Sequence, residues 1–289
     1  MASKRVLLVG DWTHQDFREA VAWLEQHTQL TRAASVADGL AAMQPAAAEG
    51  EASAGGDESV AGRLIPDVML VAQSRPGQIS PQQIERLHAA SPLSRLVALA
   101  GSWCEGELRS GRPGTGMIRV LWHQWQPRLI PFLQPGSASM AGPWWMPRTA
   151  SLDEQLAATV GLAWPRREGL IAIYADGHET FLALTDACRL GGYATVWCPS
   201  APAVAASGFV AALADGVSCD ARGVCLLRDV VQRHRPAPVI ALLDFVRRQD
   251  EELARAEDVS AVLAKPFLVY DLLWHLNNSL ALAGTLQGP

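Results

Sequence analysis

Gly208-Phe209-Val210-Ala211-Ala212-Leu213-Ala214-Asp215 and Ala261-Val262-Leu263-Ala264-Lys265-Pro266-Phe267 are the two stretches on which the reading of this chain turns. The first is an apolar run closing on a carboxylate, the pattern of a buried strand with an acid at its C-terminal tip. The second closes on Lys265, and Pro266 follows at once to end the strand. Set as parallel neighbours, the two strands bring Asp215 and Lys265 together at the edge where open α/β sheets collect ligands and chemistry. Composition sharpens the reading of the lysine: Lys4 and Lys265 are the only lysines among 24 basic residues, the other 22 being arginine. A chain that writes arginine almost everywhere points to a use for a compact ammonium at Lys265.

Outward from these strands, the second half alternates strand and helix. Leu170 to Tyr174 reads as a strand, Glu179 to Leu190 as a helix, Tyr193 to Cys198 as a strand and Pro238 to Leu243 as another, with a helix starting near Gly223. The first half repeats the rhythm. Arg5 to Val9 is a strand, Asp16 to His27 a helix with Phe17, Val21 and Leu24 on one face, Leu30 to Ala34 a strand and Val36 to Met43 a short helix. Pro66 to Ala72 is a buried strand, Ser80 to Ala90 a helix with Pro81 in its first turn, and Leu96 to Ala100 and Ile118 to Leu121 are two more strands. Such alternation predicts parallel sheets covered on both faces. Residues 44–62, rich in Ala, Gly, Ser and Glu, read as a surface insertion. Residues 134–167, with Pro135, Pro143, Pro147 and Trp144-Trp145, read as a linker; Ser151-Leu152-Asp153-Glu154 opens a short helix in it, to about Leu162, with the capping-box pattern. The organisation expected is therefore a domain over 1–133, a Pro/Trp-rich linker over 134–167 and a second domain of the same architecture over 168–289.

The chain has 289 residues, 49% of them hydrophobic and 18% charged, which describes globular cores and not a disordered tail. A net charge of −5 supplies no field for a polyanion and argues against nucleic acid as a partner. Met1-Ala2-Ser3-Lys4-Arg5 leads into a short strand and not into a signal peptide, and no apolar run has the length of a membrane span. Five cysteines without a CxxC pair fit free thiols in a reducing cytoplasm and argue against a structural zinc site. The expected localisation is cytoplasmic, with no membrane partner; the oligomeric state is left open.

In the second half, Ala175-Asp176-Gly177 follows the first strand, Asp215 ends the third and Lys265-Pro266-Phe267 closes the fifth. This layout resembles the receiver domain of two-component response regulators, over roughly residues 168–283, most strongly at Val262 to Phe267. The resemblance implies a doubly wound, five-stranded parallel sheet in the order 2-1-3-4-5. It also implies that Asp215 is the phosphate acceptor, that Asp176 and Asp215 hold Mg2+, and that Lys265 pairs with the phosphoryl group. A hard cation suits carboxylate oxygens and offsets the charge of an incoming phosphoryl group. Five positions depart from the family pattern. Ala175 replaces its first acidic residue, Leu243 its hydroxyl residue, Val262 its switching aromatic and Ser218-Cys219 the usual Met-Pro.

The first half resembles a more degenerate receiver. Asp11 stands at the acidic corner, Ala72 at the acceptor position, and Trp122-His123-Gln124-Trp125 replaces Lys-Pro-Phe, so that His123 falls near the lysine position. Alanine cannot accept phosphate. The expectation is a tandem receiver-like signalling protein without an output domain. It would act through protein contacts and not as an enzyme, with a histidine kinase or another signalling protein as partner.

A rival reading places a ligand-binding or enzymatic site at the loop and strand over 101–125, where Cys104, Glu105, Glu107 and His123 approach the same sheet edge as a soft-metal or thiolate site. The same stretch also reads as an ordered contact surface in which Trp103, Trp122 and Trp125 meet a partner. A third reading leaves Asp215 and Lys265 as a static ion pair in a docking scaffold. His178, beside Asp176, reads as a helix-capping residue.

Overall fold

A computed structural model describes residues 3–44, 64–107, 116–134, 143–160, 164, 166–198, 208–217, 220–244 and 246–286. The expected insertion over 44–62 (but for Gln44), the middle of the 101–125 loop, most of the Pro/Gly-rich start of the linker and the Ser218-Cys219 pair lie outside the described residues. The chain divides into two compact units, Met1–Ala158 and Thr159–Pro289.

The first unit is built on strands β1 (Arg5–Gly10), β2 (Gln29–Ala33), β3 (Val68–Gln73), β4 (Arg95–Ala100) and β5 (Ile118–Leu121). Helices α1 (Arg18–His27), α2 (Val36–Ala42), α3 (Pro81–Ala90) and α4 (Trp125–Leu133) alternate with or follow them, and α5 (Leu152–Val160) closes the unit. All five strands are parallel, in the order β2-β1-β3-β4-β5. All six residues of β3 are buried, as a strand covered on both faces must be. Leu7, Val9, Met69, Val71, Ile84 and Leu87 form the centre of a core cluster on one side of the sheet. Ser35 and Ser80 close reciprocal capping boxes with Asp38 and Gln83, which fixes where α2 and α3 begin.

The second unit repeats this plan. Strands β6 (Leu170–Tyr174), β7 (Ala194–Trp197), β8 (Phe209–Asp215), β9 (Val239–Asp244) and β10 (Ala261–Lys265) form a parallel sheet in the order β7-β6-β8-β9-β10. Numbered within the unit this is 2-1-3-4-5, so both sheets have the expected doubly wound topology. Helices α6 (His178–Leu190), α7 (Ala221–His234), α8 (Arg248–Ala256) and α9 (Val269–Leu286) surround the sheet. Ile171, Ile173, Leu213, Leu242, Leu272 and Leu276 anchor its core, each 0% exposed.

The structure departs from the expected elements at three informative places. The helix expected from Asp16 begins as a 3-10 turn, Gln15–Phe17, and becomes α-helical only at Arg18; the buried Asp16 side chain accepts from Ser102 N at 2.8 Å. Tyr193 belongs to the turn before β7: its N–H donates to Cys188 O at 3.2 Å and its hydroxyl donates to Asn277 Oδ1 at 2.9 Å. The expected linker is divided between the units: its described residues up to Ala158 belong to the first, where Trp144 stacks on Phe132 with ring centroids 3.9 Å apart and Arg148 reaches Glu85 at 2.7 Å, and those from Thr159 belong to the second, where Trp164 packs on Tyr270.

Candidate functional site

Asp215 and Lys265 do meet, but not as residues of neighbouring strands. β9 lies between β8 and β10, pairing Asp215 with Leu242 and Lys265 with Asp244. Two inter-strand spacings make about 10 Å, a gap that the lysine stem closes with help from the aspartate side chain. Lys265 Nζ lies 2.5 Å from Asp215 Oδ1 and 3.0 Å from Asp244 Oδ1. The Asp215 side chain is 8% exposed, against 61% for Asp244. The ammonium thus joins a buried carboxylate to a solvated one. Burial acts to lower the Lys265 pKa, but the hydrogen bonds and charges of Asp215 and Asp244 outweigh it and hold the group above the ordinary lysine value.

Asp244 is a functional candidate that sequence reasoning missed. Its signal was present: Val239 to Leu243 is an apolar run closing on a charge, the same pattern that singled out Asp215 and Lys265. Leu243 beside it is 1% exposed, so the position expected to lack a hydroxyl faces the core with an apolar side chain. Ala175 is likewise buried, at 3%.

Asp176 is exposed on the turn after β6, and its Oδ2 lies 3.9 Å from the place a Cβ would occupy on Gly216, directly after Asp215. The two carboxylates therefore flank one turn. Beside them His178 opens α6 and packs its ring against Trp197 and Phe181, at 5.0 and 5.8 Å between centroids; Gly177 holds the N-cap position. Trp197 Nε1 donates to Ala175 O at 2.9 Å, which ties this aromatic wall to the strand end. Among the described residues no group of three or more His, Cys, Asp or Glu is placed to hold a metal. Two carboxylates match what Mg2+ commonly takes from a protein, the rest of its shell being water and phosphate oxygen. Asp176 and Asp215 fit that role; a dehydrated cage is not available to them.

The matching edge of the first sheet can be aligned by register. Ala72 pairs with Leu99 and Leu99 with Val120, as Asp215 pairs with Leu242 and Leu242 with Leu263. Ala72 therefore occupies the place of Asp215, and Trp122, two residues past Val120, the place of Lys265. The expectation put His123 near that position; the register moves the equivalence one residue earlier. Gly10 pairs with Ala72, which makes Gly10 the counterpart of Ala175 and Asp11 that of Asp176. Asp11 Oδ2 accepts a hydrogen bond from Ser74 Oγ at 2.5 Å. Asp16, 3% exposed and unmarked by any sequence signal, accepts from Ser102 N at 2.8 Å and pins the loop after β4.

The 101–125 residues do converge, on one another. Trp122 is 2% exposed and donates from Nε1 to Glu105 Oε1 at 2.8 Å, with His123 Nε2 at 3.8 Å from the same oxygen. Arg119 bonds Glu107 Oε2 and Cys104 O, both at 2.6 Å. Cys104 is 0% exposed, its Sγ donates to Gln73 O at 3.4 Å, and burial pushes its thiol up to about 11. A thiol with that pKa holds its proton at neutral pH and is a poor nucleophile or metal ligand. Trp125 is 7% exposed, so the expected aromatic contact surface shrinks to Trp103, 70% exposed, with the Arg75 guanidinium 5.9 Å from its ring centroid.

No family model matches the chain, and no curated protein does. Solved structures of similar fold are known. A response regulator receiver domain protein from Clostridium thermocellum is 18% identical, with 41% of this chain and 99% of that chain covered and a TM-score of 0.36. For a CheY-like receiver domain protein from Methanospirillum hungatei the figures are 18% identity, 42% and 99% coverage, and 0.37. For a response regulator from Thermotoga maritima they are 16%, 40% and 99%, and 0.35. Strand order and register within each sheet show two doubly wound, five-stranded parallel units of 2-1-3-4-5 topology.

Proposed function

We propose that the chain is a two-component-type signalling protein that works through protein contacts and not through turnover, with Asp215 as its phosphate acceptor. The observation that carries this reading is the buried Asp215 carboxylate held at the C-terminal edge of the second sheet by Lys265, with Asp176 flanking the turn that follows. An Asp215 oxygen forms the new bond to phosphorus as the bond between phosphorus and the donor, a phosphohistidine or a small acyl phosphate, breaks with its electrons going to the donor. Lys265 then pairs with the added negative charge. Mg2+ held by Asp176 and Asp215 would supply the positive charge that a phosphoryl group needs there. The first unit, with Ala72 at the acceptor place, serves as a docking pseudo-receiver. A histidine kinase or another signalling protein of the cytoplasm is the partner class this chemistry requires.

The test is a titration with Mg2+ and beryllofluoride, a phosphoryl mimic, followed by tryptophan fluorescence and melting temperature. Saturable binding that raises the melting temperature is expected, as is its loss in Asp215→Asn. Binding that survives Asp215→Asn overturns the site assignment. Leu243 in place of a hydroxyl, and the second carboxylate on Lys265, favour a static scaffold as the alternative reading; no response at millimolar Mg2+ would decide for it.

A further inference from the structure

At the opposite, N-terminal edge of the first sheet lies a cavity of about 610 Å³. That volume is within the range of pockets that enclose a small molecule. Strand starts form its floor, and the turn over 144–148 forms one wall.

The wall is aromatic. Trp144, 3% exposed, stacks face to face on Phe132 at 3.9 Å and 9°, while Trp145 beside it is 68% exposed and lines the same cavity. The exposed ring of Trp145 offers the cavity a stacking surface, while Trp144 is held by its stack on Phe132.

The charges are one-sided. Lys4, Arg5, Arg95 and Arg148 line the cavity against the single carboxylate of Asp67. Arg148 is matched by Glu85, and Asp67 Oδ2 accepts a bond from the Arg5 backbone N–H at 2.7 Å. Arg95 is partly buried and donates to the carbonyl of Met146 at 2.6 Å, with no carboxylate partner among the described residues. The Lys4 ammonium lies 5.6 Å from the Phe132 centroid. In a chain of net charge −5, a pocket of this sign is suited to an anion. A partly buried guanidinium with one neutral partner also gains more from an incoming anion than an exposed one does.

We propose that this cavity binds a small aromatic anion, its ring against Trp145 and its carboxylate or phosphate among Lys4, Arg5 and Arg95. The site is separate from Asp215 and does not depend on phosphoryl chemistry.

The test uses the full chain at low salt, with calorimetry and tryptophan fluorescence. Two anionic probes, indole-3-acetate and adenosine 5′-monophosphate, are compared with neutral indole and adenosine. At least one anion should saturate with a Kd below about 1 mM, and its neutral counterpart should bind at least about tenfold more weakly. The double charge reversal Lys4→Glu with Arg5→Glu should weaken the anion by about tenfold or more. Trp145→Ala, at an exposed position that leaves the core untouched, should weaken it severalfold. Asp215→Asn should leave it unchanged. Failure of both anions to bind, equal binding of the neutral compounds, indifference to the charge reversal or to Trp145→Ala, or loss in Asp215→Asn would each overturn the assignment.

Discussion

Asp244 takes a share of the Lys265 ammonium that Asp215 would otherwise hold alone. Being 61% exposed, it contributes little to stability: Asp244→Ala should change unfolding free energy by less than about 1 kcal/mol. It should also raise affinity for beryllofluoride by about threefold to tenfold, because one negative charge leaves the neighbourhood of the incoming anion. A titration in which the variant binds more weakly would contradict this. A second residue-scale prediction concerns His275, whose pKa burial pulls down to about 4, with Asp271 acting against that shift and Arg255 with it. Unfolded, the imidazole titrates near 6.5. Between pH 6.5 and 4 the unfolded chain binds a proton that the folded one refuses, so the stability of the second unit falls as pH falls through that window. At pH 5 the loss from this group is about 2 kcal/mol. Melts at pH 7 and pH 5 should differ less in His275→Gln than in the parent by that amount.

Among the elements, the ends of the first strands of the two sheets show how one fold accepts different residues at equivalent places. Gly10 ends β1 with φ of +104°, and a Cβ there would come within 2.5 Å of Ala72 O. Ala72 O already accepts the Asp11 N–H at 3.1 Å, so it has little room to give. Gly10→Ala should therefore destabilise the first unit by about 2–4 kcal/mol, read from a urea melt. Its counterpart in the second unit is Ala175, which is not among the residues at positive φ; Ala175→Gly should cost about 1 kcal/mol or less. Periodicity revealed that both elements exist because a strand buried on both faces must be apolar throughout. It did not reveal that one of them ends in a left-handed turn, since that conformation is set by the carbonyl across the ladder.

At the scale of the molecule, the two core clusters are each contained in one unit. Calorimetry should resolve two transitions, with Leu70→Ala lowering one and Leu242→Ala lowering the other, each by about 2–5 kcal/mol. A single transition displaced equally by both variants would contradict that independence. Sequence alone determined the repeated strand-helix alternation, the parallel sheets and the charged strand tips at Asp215 and Lys265, because burial on both faces and a charge at the rim are local patterns along the chain. It also marked Ala72 as unable to accept phosphate. Only the tertiary structure decided that Asp244 shares the ammonium, that Trp122 and not His123 stands at the register position of Lys265, and that Cys104 is sealed in the core. Those facts depend on which strand lies beside which, and on side chains that reach across two inter-strand spacings or turn inward, neither of which is written in the spacing of residues along one strand.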